Sequence, residues 1–478
     1  MTKQNNKKTW ITVALIIGII IIAAIVVWCW INIQLLGTEK KVAKLGIKLT
    51  PEKIERLNFT ASYQKLAETL ELLKQPTKDE LQLLPKSGFG GVSFLDRSLN
   101  SEQQKIVSNY IDRNMASFEA IEKAIPPINS VGEHNLEEFN PKEILNICGK
   151  VMQGNRIFAD AVEAAIINHS SSNAISFLKA GFRLSDYFNI QKHYLNNFLF
   201  NLSTTIWLTN INRVVNNFKL SDAELQEIID LMHRREAQIK ENFSSMLAGE
   251  AFIYCSLIDK RQPIIAGKQP FWTKLDTSNT ISSESMFMPW WWLIGSALEK
   301  QAMLEDILYI KEKLINLDNY SAIKSDWETF DLHRNARFFS PFSKEYIDFH
   351  YIFKQNINSI AYLRCAEVAL TTILYQRKYG KIPPKIAVLS PDFLNEKDLI
   401  DPWIGKFLIM KYGRQKVRLS TQYISNKNVV EYAERVCLKV YSVGPNLNDN
   451  EGSDVSGTNS GGTNDDPTFI LIDQNNAK

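Results

Sequence analysis

Apolar and polar positions fall into three regimes along the chain. Residues 10–30 carry no charge, and 11–27 are almost wholly Ile, Val, Ala, Leu and Gly. A helix needs about 20 apolar residues to cross a bilayer core, and Trp10, Trp28 and Trp30 put amphipathic rings where the interfaces would lie. The run is long for a signal peptide, and no small-x-small cleavage site follows it. Trp28 stands before Cys29 where a lipoprotein signal would need a small residue. The pattern predicts an uncleaved anchor.

Beyond it the apolar period becomes helical. Thr50-Pro51-Glu52 reads as a helix start, followed by Leu66, Leu70 and Leu73. Residues 85–91 read as loop from their Pro, Ser and Gly. Ser101-Glu102-Gln103-Gln104 is a capping box ahead of Ile106, Tyr110 and Phe118. Between 141 and 249 the signal strengthens. One face collects Ile144, Cys148, Val151, Phe158 and Val162; the pattern breaks at 169–173 and restarts at Ile175, Leu178 and Phe182. A third run follows at Leu195, Leu199, Leu202 and Ile206. A second capping box, Ser221-Asp222-Ala223-Glu224, opens a helix with Leu225, Ile228, Met232, Ile239, Phe243 and Met246 on its buried face. Within it, His233-Arg234-Arg235-Glu236 reads as a solvated face. The apolar run 286–298, with Pro289-Trp290-Trp291-Trp292, is too short to span a bilayer and reads as a buried helix start, in preference to a segment lying on a membrane interface.

In the last third a helix over about 345–379 carries Phe353, Ile357, Ile360, Ala361 and Val368, and Gly380 with Pro383 and Pro384 ends it. β-branched and aromatic residues then predict strands at 407–412, 417–424, 436–443 and 468–472. Residues 446–466 form a Gly, Ser, Asn and Asp loop with Asp449, Glu451, Asp454, Asp465 and Asp466. Oxygen-rich side chains of this kind suit calcium, which takes six to eight oxygens, and they equally suit a solvated loop.

Charge and cysteine usage narrow the function classes. The first 36 residues hold three lysines and no acid, leaving 52 bases against 52 acids in the rest. Such a balance, with no basic stripe, gives no footprint for nucleic acid. Cys29, Cys148, Cys255, Cys365 and Cys437 form no C-x-x-C pair; buried free thiols are the expectation, with a single bridge left open. P-loop, Rossmann, nucleophile-elbow and H-E-x-x-H patterns are absent. Asp331-Leu332-His333 and Asp348-Phe349-His350 are two D-x-H pairs, and Glu250 lies in an Ala-Gly-Glu segment expected to turn. These residues carry the alternative reading, a membrane-tethered hydrolase with an acidic or metal site in the helical region.

Two resemblances bear on the whole chain. Tyr379-Gly380-Lys381-Ile382-Pro383, Asp401-Pro402-Trp403-Ile404-Gly405, Tyr441-Ser442-Val443-Gly444-Pro445-Asn446 and Asp465-Asp466 together resemble the C-terminal head of the major type II secretion pseudopilin. That resemblance implies a helix followed by a small antiparallel sheet. It also implies a calcium-holding loop, with Asn446 and Asp466 at the matching positions and Asn448 and Asp449 beside them. The chain departs from it in having an amide at Asn446, Pro467 in place of an aliphatic residue, and Lys7-Lys8-Thr9-Trp10-Ile11 where a processed pseudopilin has glycine, phenylalanine and glutamate. The middle region resembles bacterial single-pass membrane proteins without an assigned activity. It does so through 175–184, through Leu220-Ser221-Asp222-Ala223-Glu224-Leu225 and through Ala248-Gly249-Glu250.

The expected fold is mainly α. It comprises a cytoplasmic tail and transmembrane anchor (1–36), a helical stalk and linker (37–140), an α-helical domain (141–344) and a pilin-like α+β head with an antiparallel sheet (345–478). The expected role is structural or protein-interacting, related to secretion or surface assembly. The expected site is the bacterial cytoplasmic membrane, entered through residues 10–33 in a single pass, with the bulk outside. Calcium at Asn446, Asn448, Asp449 and Asp466 is the one cofactor reading, and protein partners are expected.

Overall fold

The computed structural model describes residues 2–45, 68–74, 77, 80, 101–124, 141–189, 194–259, 296–336, 347–424, 427–452 and 466–473. Among them the protein is mainly helical with a small antiparallel sheet. The helices are α1 (Thr2–Lys44), α2 (Ser101–Ala124), α3 (Pro141–Ile167), α4 (Ser171–Ser185), α5 (Tyr194–Asn217), α6 (Asp222–Asp259), α7 (Ser296–Tyr309), α8 (Tyr320–Asn335) and α9 (Phe349–Tyr379). The strands are β1 (Ile400–Asp401), β2 (Lys406–Phe407), β3 (Ile409–Ile424), β4 (Lys427–Tyr441) and β5 (Thr468–Ile472). The expected start at Thr50, the loop at 85–91 and the tryptophan run at 290–292 lie outside the described residues.

Chain contacts define two units, one of Met1–Glu52, Leu247–Ile315 and Asp326–Asp348, the other of Lys53–Met246, Asn316–Ser325 and Phe349–Lys478. In the first, Ile31, Leu35, Thr38 and Val42 are buried at steps of four, three and four, the spacing that keeps one stripe of a helix facing a partner. That stripe packs on α7. The Lys311 ammonium donates to the Leu45 carbonyl at 2.9 Å, satisfying an oxygen at the end of α1. Tyr254 Oη donates to the buried Glu299 carboxylate at 2.9 Å.

The second unit begins from local signals that work as written. At the start of α6 the Ser221 amide donates to Glu224 Oε2 (2.7 Å) and the Glu224 amide to Ser221 Oγ (3.2 Å), a reciprocal capping box. Leu225, Ile228, Met232, Ile239, Phe243 and Met246 are all buried, as the period requires. The solvated reading of 233–236 is corrected: Arg235 and Glu236 are buried and only Arg234 is exposed. Four consecutive helical residues go right round the cylinder, so Arg235 and Glu236 fall on the same stripe as Met232 and Ile239. Ala248-Gly249-Glu250 is not a turn either, because α6 runs through it without a break.

α5 buries a different flank from the expected leucine stripe. Leu195, Leu199, Leu202 and Ile206 are half-buried, whereas Asn197, Phe200, Asn201, Thr204, Trp207 and Ile211 are buried. Polar side chains there bond back one turn: Asn201 Nδ2 to the Asn197 carbonyl (2.9 Å) and Thr204 Oγ1 to the Phe200 carbonyl (2.9 Å). Asn201 also donates to Asn356 Oδ1 on α9 (3.0 Å). Trp207 Nε1 donates to Asn155 Oδ1 and Ser185 Oγ, both at 2.9 Å, and its ring lies over Gly181. A Cβ at Gly181 would stand 1.9 Å from Trp207 Cζ2, so only glycine admits this approach of α4 to α5.

α9 is the core helix, with Phe353, Ile357, Ile360, Ala361 and Val368 all fully buried. It is long and apolar enough to cross a membrane, yet 83% of its apolar window is buried within the protein, as in the core helix of a folded domain. It covers one face of the sheet β3-β4-β5, with Tyr362 edge-on to Phe469 and Thr372 Oγ1 against Met410 Sδ. Two expected strands, 407–412 and 417–424, are replaced by β2 and one long β3, whose pairing with β4 runs through Gly413↔Cys437 and shifts once between Arg418 and Ser420. β4 starts nine residues before the expected 436, at Lys427, because backbone pairing to β3 extends past the apolar stretch that signalled it. β5 occupies 468–472 as expected. Its outer edge is closed by α5: Asn216 Nδ2 donates to the Ile470 carbonyl (2.8 Å), and its Oδ1 accepts the Ile472 amide (2.7 Å).

Candidate functional site

Two of the four motifs singled out in the last hundred residues meet at Asp401. Its carboxylate is buried at the end of β1. Oδ1 accepts from the Trp403 amide (2.9 Å) and Ser442 Oγ (2.8 Å), and Oδ2 accepts from the Val443 amide (3.0 Å). The second of these motifs therefore reads the backbone of the third. Trp403 is fully buried edge-on to Tyr320 at 5.1 Å, and the Pro402 and Trp403 carbonyls accept the Tyr320 and Ser321 amides at the start of α8. Burial raises the Asp401 pKa against the pull of those bonds.

From this junction the chain leaves β4 into the 444–452 loop, which folds back over the sheet face opposite α9. Gly452, at φ +63°, sits against the Tyr441 ring, where a Cβ would come within 2.8 Å. Lys439, buried on β4, donates its ammonium to the Gly452 carbonyl (3.2 Å) and the Glu451 carbonyl (3.4 Å). The four expected calcium ligands lie in or against this loop. Asn446 Oδ1 accepts the Asn448 amide (2.9 Å) and Asp449 Oδ1 the Glu451 amide (2.8 Å), so both side chains brace turns. Asn448 itself is exposed. Asp466 is buried; Oδ2 accepts the Asn450 (3.0 Å) and Gly452 (3.1 Å) amides, while Oδ1 has no hydrogen-bond partner among the described residues. Burial pushes its pKa up to about 6, aided by the charges of Asp449 and Asp401. The free buried oxygen fits a cation. The set as a whole is less complete, since among the described residues no three His, Cys, Asp or Glu side chains converge as metal ligands. Asp454 and Asp465 lie outside the described residues.

A second constellation went unread in the sequence. Arg364 interrupts the apolar face of α9 and is buried. Its Nη2 and Nε grip the Glu236 carboxylate at 2.7 and 3.1 Å, Nη2 also reaches Asp318 Oδ1 at 2.5 Å, and Nη1 donates to the Ile400 carbonyl at 2.8 Å. Lys240 adds contacts of 2.9 Å to Glu236 and 2.8 Å to Asp318. Burial opposes ionisation of Glu236, but Arg364 and Lys240 outweigh it and hold the carboxyl below its ordinary range. One turn further along α9, Glu367 is wholly buried with neither oxygen hydrogen-bonded, and Oε2 lies 3.3 Å from His233 Nδ1. Burial, together with Glu236 and Asp398, raises this carboxyl well above the usual range. The visible signal was two charged residues, Arg364 and Glu367, inside an otherwise apolar helix. The cluster clamps α6, α9 and the chain before α8.

Among the described residues, those of the hydrolase reading form no group of three that could hold a metal ion. His350 is buried, its Nε2 2.9 Å from Tyr320 Oη, whereas His333 is exposed on α8. Glu250 is buried inside α6. Neither of the two described cavities is lined by Glu250 or the D-x-H residues. All five cysteines are free thiols, four of them buried; Cys148 Sγ lies 3.3 Å from Asn196 Oδ1, and burial pushes its pKa up to about 12. No model of a known protein family matches the chain, and no curated protein and no solved structure matches it.

Proposed function

We propose that this chain is a single-pass, membrane-anchored bacterial envelope protein whose helical body and small sheet-bearing head act through protein contacts around a secretion or surface-assembly system. The observation that carries the anchor is the surface of α1. Ile22, Ile25, Val26 and Trp30 are 55–63% exposed, continuing the charge-free run from residue 10. In water such a patch is unfavourable at roughly 25 cal/mol per Å² of apolar area; in hydrocarbon it is at home. The order of helix and antiparallel sheet, with Asp401 joining two of the motifs, supports the resemblance of the head to a pilin-type fold.

Fractionation tests the anchor. The full chain is expected in carbonate-washed membranes, a chain lacking residues 1–36 in the soluble fraction, and added protease is expected to reach the body in spheroplasts. A truncated chain that stays in the membrane overturns the anchor. Crosslinked envelopes that return no secretion or assembly component on pull-down overturn the role. Calcium at the 446–466 loop belongs to the same proposal, resting on Asp466 Oδ1. A melting midpoint unchanged between calcium and chelator rejects it.

A further inference from the structure

Facing stripes of α4 and α6 enclose a cavity of about 400 Å³. On α4 the lining residues recur at 179, 182 and 183, one turn apart; on α6 they recur at 227, 231, 234, 235 and 238, again a single helical face. The volume is within the range of small-molecule sites. Four of the lining side chains are cationic, Lys179, Arg183, Arg234 and Arg235, against two acids, Asp186 and Glu227.

Arg235 forms the inner wall and is 2% exposed. Its guanidinium lies over the rings of Phe182 (5.0 Å) and Phe200 (4.3 Å), a sandwich that favours a cation and fixes its plane. Nη2 donates to the Phe182 carbonyl at 2.7 Å and lies 3.1 Å from Asp186 Oδ1, while Nη1 has no hydrogen-bond partner among the described residues. A buried guanidinium donor left unbonded is costly, and a nearby anion relieves it. Asp186 alone is a poor counter-charge, because burial raises its own pKa despite the pull of Arg235. At the rim, Lys179 and Glu227 pair at 2.7 Å, so Glu227 offsets Lys179, and Arg234 stands exposed at the opening.

We propose that this cavity binds a small organic anion, with its carboxylate or phosphate group held by Arg235, Arg183 and Arg234 and its apolar part against Phe182 and Leu231. Guanidinium groups suit both oxyanions because their planar forks match carboxylate and phosphate geometry. The charge balance disfavours a cationic ligand, and the space exceeds what one bare oxyanion would fill.

The test uses the full chain in detergent with three probes at constant ionic strength: inorganic phosphate, phenyl phosphate and benzoate, against chloride. Calorimetric titration and thermal melting are read together. Saturable binding is expected for phenyl phosphate or benzoate, tighter than for inorganic phosphate, with a melting midpoint that climbs with probe concentration. Which of the two binds identifies the head group. The rim variant Arg234→Gln changes an exposed position; it is expected to melt like the parent without probe and to bind at least threefold more weakly. Arg235→Lys keeps the charge but loses the fork and is expected to bind weakly too. If no probe outperforms chloride, or if the rim variant binds as the parent does, Arg235 is a packing residue and the proposal fails.

Discussion

Replacing Asp466 by asparagine separates the cost of burying a carboxylate from any benefit of an ion beside it. The side chain is 3% exposed, with one oxygen on two amides and the other unpartnered among the described residues. Its pKa rises from 3.8 to about 6, first through burial. At about 1.4 kcal/mol per unit, a shift of roughly two units is worth about 3 kcal/mol. The sign follows from linkage. The folded chain holds this proton more tightly than the unfolded one, so the contribution is whole below about pH 4 and lost as pH rises through about 6. At about pH 7.5 without calcium, Asp466→Asn is therefore expected to exceed the parent by up to about 2 kcal/mol, the rest offset by an amide nitrogen needing its own partner. Urea unfolding of the full chain in detergent, followed by tryptophan fluorescence across this pH range, measures it. The parent-minus-variant difference isolates Asp466 from other titrating groups. Added calcium is expected to stabilise the parent and leave the variant unmoved. A parent–variant difference that stays level from pH 4 to pH 7.5, with the variant the weaker at the upper end, would refute the reasoning.

Two further substitutions probe the frame around the site. Gly181→Ala gains helix propensity of about 1 kcal/mol, yet its Cβ would collide with Trp207 at 1.9 Å. Overpacking and the loss of the Trp207 bonds are expected to win by about 2 kcal/mol or more, with partial recovery in the Trp207→Leu background; a urea midpoint at or above the parent's contradicts this. Arg364→Met leaves Glu236 buried without its main partner and is expected to cost about 3–5 kcal/mol. Because the Glu236 pKa is lowered, its contribution is present above about pH 4.5 and fades on acidification, so the variant's deficit is expected to shrink toward low pH. A deficit that ignores pH speaks against the clamp.

What could be read from the chain was whatever depended on neighbours in sequence. The box at Ser221, the buried stripe of α6, the end of α9 at Gly380 and the span of β5 all follow from local chemistry and period. The same periodicity misplaced the inward flank of α5. Its asparagines bond back to their own helix and so pass for surface residues in an amphipathic count. At the candidate site, composition marked out the 446–466 loop and motif order brought Asp401 into view. It could not show Arg364 meeting Glu236, because the two are 128 residues apart and each looks solvated in its own segment. Nor could it show Lys439 holding the loop carbonyls, since a lysine in a strand ordinarily points to water.

The side-chain amide of Asn216 stands where another strand's backbone would pair with β5, giving and taking the bonds of a ladder. This edge is therefore not open to strand exchange or to growth of the sheet by a neighbouring copy. It also makes the head dependent on the helical body. Cut free at the start of α9, residues 349–473 would expose the β5 edge that α5 now occupies. Grafting the head onto another carrier would mean grafting α5 with it.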